Sequence, residues 1–244
     1  KTRRDGGLLC LLLTGRSRPI DRDALIGKHL EALSAGRQHP TSRSLVVVAT
    51  QCIEAGADLD FDALITECAS LDALRQRFGR LDRLGDNQHA SAVILARKDQ
   101  IKAKSVDPVY GESLANTWAW LNSIATGKPP TVDFGVDVLA KKLPRDAALE
   151  ALLAPQRHAP VMLPAHLDAW AQTNPRPSAD PEVALWLHGP QSGPFDVQIV
   201  WRADLTPDDF KNGQVSEDRV LARRPGSGEM LSMPIWAVER WLTG

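Results

Sequence analysis

Four arginines fall within nine residues, 75–83, on a segment whose apolar side chains recur at three- and four-residue spacing. That spacing predicts an amphipathic helix with one apolar stripe facing a core. Ser70 stands where an N-cap residue is expected. The apolar stripe consists of Leu71, Leu74, Phe78 and Leu81. We expect Arg77, Arg80 and Arg83 on another stripe, with Arg80 and Arg83 close enough on the helix surface to converge on one anion.

A solvated basic face paired with Asp72 and Asp82 is the alternative reading of this helix. For an isolated arginine-rich helix, that reading would be favoured. The surrounding sequence instead favours a helix whose arginines bind an anion.

Short apolar runs alternate with a helical pattern through the first hundred residues. Strands are predicted at residues 8–13, 44–50, 63–68 and 92–95, and a helix from Asp21 or Asp23 to Leu33. The first two runs are continuously apolar, which is typical of strands buried on both faces. The alternation predicts an α/β fold with a parallel sheet wound by right-handed crossovers, and functional loops at the carboxyl ends of its strands.

At this point the sequence resembles a known class. Residues 76–83 carry the Q-x-x-G-R-x-x-R pattern of motif VI of superfamily 2 helicases, and residues 50–58 resemble their motif V. Over the longer segments 48–62 and 76–83, the sequence is similar to that of the helicase-nuclease family of type I CRISPR-Cas interference. The resemblance covers residues 8 to about 97 and implies a RecA-like lobe carrying motifs IV, V and VI.

The resemblance implies a role for each matching residue. Arg80 and Arg83 would act as arginine fingers on the γ-phosphate of ATP, and Gln76 would contact the nucleotide or the attacking water. Gly56 would allow close backbone approach, Asp58 would reach the ribose, and Arg77 would also contribute to the nucleotide site. The expected nucleic-acid contacts are Thr14, Arg16, Arg18, Arg22, Thr50 and Gln51.

Two plainer readings remain open beside these roles. Residues 14–22 can be an ordinary basic loop in which Asp21 caps a helix. Asp58, Asp60 and Asp62 can form a solvated turn or a weak cation site, although the glycine and distal glutamate of a calcium loop are missing.

Other signatures of a complete helicase-nuclease do not occur in the sequence. It has no phosphate-binding G-x-x-x-x-G-K-[ST] loop, no D-E-x-H segment and no His-Asp dipeptide. We therefore expect the second motor lobe and following region of a larger enzyme, inactive alone, with ATP and Mg²⁺ held mostly by the first lobe. Expected partners are single-stranded DNA, the first lobe, the nuclease domain and a Cascade-type surveillance complex.

Charge is unevenly distributed although the net charge is only −1. Residues 1–105 hold 17 Lys and Arg against 13 Asp and Glu, which suits a polyanionic partner. The three cysteines lack metal-type spacing, so neither a disulfide framework nor a zinc site is predicted and a cytoplasmic location is expected. No membrane contact is expected, because no apolar run approaches transmembrane length.

Three domains are predicted: a second RecA-like lobe at 1–105, a helical connector at 106–160 and a small α+β accessory domain at 161–244. Helices are expected at about 112–124, 136–142, 145–153 and 165–171, and a terminal helix opens at Pro234. Residues 183–187 and 196–201 are predicted to pair as strands. Five of the seven tryptophans lie in the last third, where they are expected to anchor a small core or an interdomain surface rather than to stack on bases.

Two alternatives to the CRISPR-type motor remain. Motifs V and VI also occur in superfamily 2 helicases that act on RNA or on other DNA. A non-catalytic RecA-like docking module is the third possibility, in a different functional class.

Overall fold

The computed structural model describes residues 4–5, 8–37, 44–54, 58–87, 89–155, 162–171, 196–211, 214–223 and 225–243. The fold is mixed α/β and divides into two units. The first unit is Lys1–Gly15 with Asp23–Pro155, and the second is Arg16–Arg22 with Gln156–Gly244.

The first unit begins with a three-stranded sheet in the order β1-β2-β3. Its strands are β1 (Arg4–Asp5), β2 (Leu8–Leu13) and β3 (Leu45–Ala49). β2 and β3 are parallel, from the pair Leu9 and Leu45 to the pair Leu13 and Ala49, and β1 is antiparallel to β2. Helix α1 (Pro19–Leu33) connects β2 to β3, close to its predicted bounds.

The sheet is covered on one face rather than two. Leu11 is 2% exposed and packs with Leu33 of α1 and with Leu59, whereas Leu12 is 49% and Val48 50% exposed. Because successive strand residues point to opposite faces, one covering layer buries only every second side chain. The prediction of strands buried on both faces is therefore wrong for the described residues.

A second sheet pairs β4 (Ala63–Glu67) with β5 (Ser91–Leu95) in parallel, with helix α2 (Leu71–Phe78) between them in the chain. The four predicted strands are thus confirmed, but within the described ranges they form two separate sheets. The parallel pairings hold within each sheet, and a single RecA-like sheet is not seen.

Residues 106–155 pack into the core of the first unit. Their helices are α3 (Ser113–Ile124), α4 (Val136–Lys142) and α5 (Ala147–Glu150). Leu121 of α3 packs against Leu74 of α2, and the ring of Phe134 stacks on Phe78 with centroids 3.8 Å apart. The sequence instead predicts a separate connector at 106–160, because the apolar stripe of α3 does not reveal which element it packs against.

The second unit contains α6 (Pro164–Ala171) and two antiparallel strand pairs. β6 (Asp196–Ile199) pairs with β9 (Leu231–Pro234), and β7 (Phe210–Lys211) with β8 (Gln214–Val215). Helices α7 (Glu217–Leu221) and α8 (Ile235–Thr243) complete it. The predicted strand at 183–187 lies outside the described residues, and β9 was not predicted.

Three tryptophans of the second unit are exposed. Trp201 is 53% accessible, Trp236 49% and Trp241 66%. These three do not anchor a core, so that part of the prediction is wrong for them, and the interdomain-surface interpretation stays a prediction. The side chains of the other two, Trp170 and Trp186, lie outside the described part of the structure. Among the described helices, none has both the length and the apolar composition needed to cross a bilayer.

Candidate functional site

The loops that follow β2 and β3 meet, as expected for neighbouring parallel strands. The backbone N–H of Gly15 donates to Thr50 Oγ1 at 3.2 Å, and the N–H of Thr50 donates to Leu13 O at 3.1 Å. Thr14 and Thr50 therefore lie at the same edge of the sheet. Thr50 precedes a 3₁₀ turn, Gln51–Ile53, which starts the motif V segment.

The basic residues after β2 lie in the second unit. Arg18 binds Asp21 through two hydrogen bonds, Nε to Oδ2 at 2.6 Å and Nη2 to Oδ1 at 2.9 Å. This hydrogen bonding raises the pKa of Arg18 and lowers that of Asp21. Arg16 is exposed and Arg22 half-buried. The Arg18 contact agrees with the plainer reading of a basic loop beside a helix start.

Arg77 is the centre of the motif V and motif VI contacts. All three guanidinium nitrogens are directed at protein acceptors. Nε lies 2.8 Å from Glu54 Oε1, Nη1 lies 2.8 Å from Thr66 Oγ1 and 3.0 Å from Glu67 O, and Nη2 lies 2.8 Å from the Tyr110 hydroxyl. Arg77 therefore joins α2 to the motif V segment and to the end of β4.

The Arg77–Glu54 ion pair is largely removed from solvent. The two side chains are 14% and 15% exposed, and Nη2 of Arg77 also lies 2.8 Å from Glu54 Oε1. Charges at this depth need partners for each polar atom, and the additional acceptors supply them. The predicted nucleotide contact by Arg77 stays a prediction, and it would require one of these hydrogen bonds to be exchanged.

Arg80 lies against the motif V segment with donor capacity to spare. Its Nη2 donates to Glu54 O at 3.2 Å. Its Nε is buried and has no acceptor among the described residues. Its backbone carbonyl accepts from the N–H of Phe61 at 2.8 Å, which holds the turn after α2 to the strand-like segment before β4.

Arg83 is held through its backbone and its side chain. Its N–H donates to Oδ1 of the buried Asp60 at 2.9 Å. Its Nη1 lies 3.1 Å from Asp58 Oδ1, with the two side chains 39% and 69% exposed. Arg83 and Asp58, both among the residues predicted to contact nucleotide, are thus paired with each other.

Arg80 and Arg83 do not share a helix face, which corrects the sequence analysis. Helix α2 ends at Phe78, where the N–H of Gly79 donates to Arg75 O at 2.9 Å, and Asp82 then adopts a positive φ of 46°. Instead of adjoining on a helix, the two arginines contact motif V on either side of residues 55–57. The predicted Gly56 falls among those residues, outside the described part of the chain.

The three alternating carboxylates of motif V all face arginines. Asp58 pairs with Arg83, and Arg37 contacts both Asp60 and Asp62. Arg37 also donates to Asp60 O at 2.9 Å. Among the described residues there is no group of three or more His, Cys, Asp and Glu side chains placed to hold a metal ion. Asp58 and Asp60 thus contact Arg83, through its side chain and its backbone respectively, whereas Asp62 contacts Arg37.

Tyr110 is a site residue that the sequence analysis missed. Its hydroxyl accepts hydrogen bonds from Gln51 Nε2 and from Arg77 Nη2. Burial raises the pKa of Tyr110, so the phenol stays neutral near pH 7. The only available signal was that this is the sole tyrosine of the chain. The other predicted motif VI residue, Gln76, is exposed.

Comparison with known proteins identifies the part of the chain that carries these contacts. Residues 4–86 match the family described as CRISPR-associated nuclease/helicase Cas3, C-terminal. Residues 4–86, which include motifs V and VI, therefore carry a Cas3-like C-terminal domain. The two motifs resemble those of superfamily 2 helicases.

Three curated relatives share this similarity. The CRISPR-associated endonuclease/helicase Cas3 of Thermus thermophilus is 44% identical over 77 residues, which is 32% of this chain and 8% of that protein. The Cas3 nuclease/helicase of Methanothermobacter thermautotrophicus is 47% identical over 49 residues, 20% of this chain. A putative Myxococcus xanthus Cas3 is 28% identical over 212 residues. The chain matches 6%, 8% and 26% of the length of these relatives.

Two solved structures are similar to part of the chain. A T. fusca Cas3–AMPPNP structure has a TM-score of 0.44 at 24% identity, covering 58% of this chain and 18% of that one. A CRISPR RNA-guided surveillance complex in a pre-nicking state has a TM-score of 0.40 at 22% identity, with coverages of 58% and 18%.

Proposed function

We propose that this chain is the second RecA-like motor lobe and C-terminal region of an ATP-dependent helicase that translocates along single-stranded DNA. With a nuclease domain elsewhere in the parent protein, that enzyme would degrade invading DNA in type I CRISPR interference. The proposed location is the cytoplasm, where such DNA is met.

One observation carries this proposal: the guanidinium groups of Arg80 and Arg83 flank the motif V segment while Arg77 fixes the helix behind them. Arg80 has a buried Nε without an acceptor in the described part of the chain, and Arg83 is held by an exposed ion pair. An exposed ion pair such as that of Arg83 can be exchanged for an anion delivered from outside. A guanidinium placed on the γ-phosphate contributes about 10³- to 10⁵-fold to rate where it has been measured.

The residues present fit one side of a nucleotide site. In the proposed complex Arg80 and Arg83 would contact the γ-phosphate, Asp58 the ribose, and Gln76 the nucleotide or the attacking water. Gly56 would allow close approach of the protein backbone. Arg77 would exchange one of its hydrogen bonds within the protein for a contact with the nucleotide. Mg²⁺ and most of the ATP would be held by the first lobe, which supplies the phosphate-binding loop that this sequence lacks.

Closing of the two lobes around ATP would couple hydrolysis to strand movement. DNA is proposed to pass the strand ends at which Thr14, Thr50 and Gln51 lie. Contacts with the DNA backbone are also proposed for Arg16, Arg18 and Arg22. The further partners proposed are the nuclease domain and a Cascade-type surveillance complex, on the strength of the family match.

ATP hydrolysis by the full-length protein that the gene encodes tests this proposal. We expect strong stimulation by single-stranded DNA and none by RNA, and we expect the 244-residue chain alone to be inactive. Stimulation by RNA alone would indicate a different superfamily 2 helicase. Absence of ATP hydrolysis with every nucleic acid would indicate a docking module instead.

The gene itself provides an independent check. A phosphate-binding loop and a D-E-x-H segment encoded upstream would supply the nucleotide site that Arg80 and Arg83 are proposed to complete. A His-Asp nuclease signature on either side would support the CRISPR assignment.

A further inference from the structure

We infer that Tyr110, which lies outside the segment matched to the Cas3 family, is a positioning residue that couples motif V to motif VI. The inference rests on the proposed function. Its basis is that one phenolic oxygen accepts hydrogen bonds from Gln51 of motif V and Arg77 of motif VI.

A rigid turn fixes the tyrosine. Asp107 and Gly111 exchange backbone hydrogen bonds of 2.9 and 2.8 Å, and Asp107 Oδ1 accepts from the N–H groups of Val109 and Tyr110 at 2.9 and 3.0 Å. Gly111 has a φ of +59°, which a residue with a Cβ adopts only with strain. The backbone around Tyr110 is therefore determined independently of what its hydroxyl touches.

The ring and the next helix attach this turn to α2. The ring packs on the cluster that contains Ala73, Leu74 and Leu121. Ser113, the first residue of α3, donates from both its N–H, at 3.2 Å, and its Oγ, at 2.6 Å, to the carbonyl of Tyr110. The hydroxyl thus projects from a fixed platform toward the polar groups of both motifs.

The two donors depend on Tyr110 to different degrees. Arg77 keeps Glu54, Thr66 and the Glu67 carbonyl when the phenolic oxygen is removed. Gln51 is exposed, and the tyrosine oxygen is the acceptor that orients its amide. Loss of the hydroxyl therefore acts mainly on Gln51, the proposed nucleic-acid side of the site.

A neutral phenol suits this task better than a charged group. A carboxylate at the same place would compete with Glu54 for the Arg77 guanidinium. The phenol can accept from both donors without carrying charge, because a tyrosine loses its proton only near pH 10 or above, at about its ordinary pKa. Burial raises the pKa of Tyr110 further in that direction. The phenolic oxygen of Tyr110 is shared by both donors. A movement of Arg77 with α2 would therefore be transmitted to Gln51 through that oxygen.

The test uses Tyr110→Phe in the full-length protein, with Gln51→Met and the double variant. Tyr110→Phe keeps the ring, and Gln51→Met keeps the length of an exposed side chain. We expect each single variant to raise the concentration of single-stranded DNA that half-stimulates ATP hydrolysis by about 3- to 10-fold, the range for one lost hydrogen bond. In the Gln51→Met background, Tyr110→Phe should add no further change.

Val109→Ala is the matched control, because Val109 lies on the same turn and is 56% exposed. It should leave the half-stimulating DNA concentration unchanged. An equal effect of Tyr110→Phe in the presence and absence of the Gln51 amide would overturn the inference, because the hydroxyl would then not act through Gln51. A half-stimulating DNA concentration that is unchanged in the Tyr110→Phe single variant would also overturn the inference.

The two proposals fail differently. If the unmodified full-length protein shows no DNA-stimulated ATP hydrolysis, the proposed function fails and the inference fails with it. If the unmodified protein is stimulated and Tyr110→Phe responds identically, only the inference fails.

Discussion

Arg83 and Asp58 form an ion pair, with Arg83 Nη1 3.1 Å from Asp58 Oδ1. Both belong to the proposed nucleotide site, and each is the other's charged partner in this structure. A polyphosphate entering the site must therefore replace a carboxylate as the ligand of Arg83. The buried Asp60 accepts from the Arg83 backbone N–H at 2.9 Å, so the turn is held by a contact that does not involve the Arg83 side chain.

Asp58→Asn tests the exchange of partners. We expect little change in stability, below about 1 kcal/mol, because exposed ion pairs contribute little. The KM for ATP of the full-length protein should change while kcat stays within about 3-fold, because Asp58 is proposed to act in binding and not in phosphoryl transfer. Steady-state ATP hydrolysis in saturating single-stranded DNA measures both constants. A loss confined to kcat would contradict this role for Asp58.

Arg77→Ala should destabilise the first unit by about 3–5 kcal/mol, because it leaves the buried carboxylate of Glu54 without its cation. Arg77→Lys should recover only part of this loss, since an ammonium cannot reproduce the guanidinium fork that reaches Glu54, Thr66 and Tyr110. Urea unfolding of this chain gives the free energies.

Arg97→Ala is the control for Arg77. Arg97 pairs with Asp99, and the two side chains are 69% and 68% exposed, so the change should cost less than about 1 kcal/mol. Equal losses for the two substitutions would show that the Arg77 contacts contribute no more than a surface pair.

Cys68 should make stability fall at high pH. Burial raises the pKa of its thiol to about 11. An unfolded thiol loses its proton at lower pH, from about 8.5 upward, so the unfolded state then binds fewer protons. The contribution is fully present below that pH and is lost as pH rises toward 11.

Comparison of the unmodified chain with Cys68→Ala between pH 8 and 10.5 isolates the contribution of the Cys68 thiol to stability. The difference in unfolding free energy between the two proteins should shrink as pH rises, by at most about 3 kcal/mol. A difference that is constant across this range would contradict the buried neutral thiol.

Trp241→Ala should leave the fold of the second unit intact, with a loss below about 1 kcal/mol, because the ring is 66% exposed. Leu231 of β9 is 8% exposed, and Leu231→Ala should cost about 2–3 kcal/mol. Thermal unfolding of the two variants compares them. A larger loss for Trp241→Ala would indicate that this tryptophan is covered.

The predictable part of this chain lies where local pattern and local structure coincide. The apolar run at Leu8–Leu13 and the three- and four-residue spacing of Leu71, Leu74 and Phe78 predict their strand and helix correctly. These features depend on neighbours in sequence.

What the sequence left open depends on contacts between distant residues. The helical periodicity continues to Leu81, but that side chain belongs to a turn bridged to Phe61, so the helix stops earlier than the pattern indicates. Tyr110 lies 33 residues from Arg77 and 59 from Gln51, and no spacing rule links them. The grouping of residues 106–155 with the first unit has the same origin.

The central claim is that Arg80 stabilises charge on the γ-phosphate, and the kcat for ATP hydrolysis by the full-length Arg80→Ala protein tests it most directly. Arg75→Ala is the control, because Arg75 is an exposed arginine on α2, the helix that precedes the turn with Arg80. We predict a fall in kcat of about 10³-fold or more for Arg80→Ala, with the fold and the Arg75→Ala rate unchanged. A kcat for Arg80→Ala within about 10-fold of the unmodified enzyme would contradict the account.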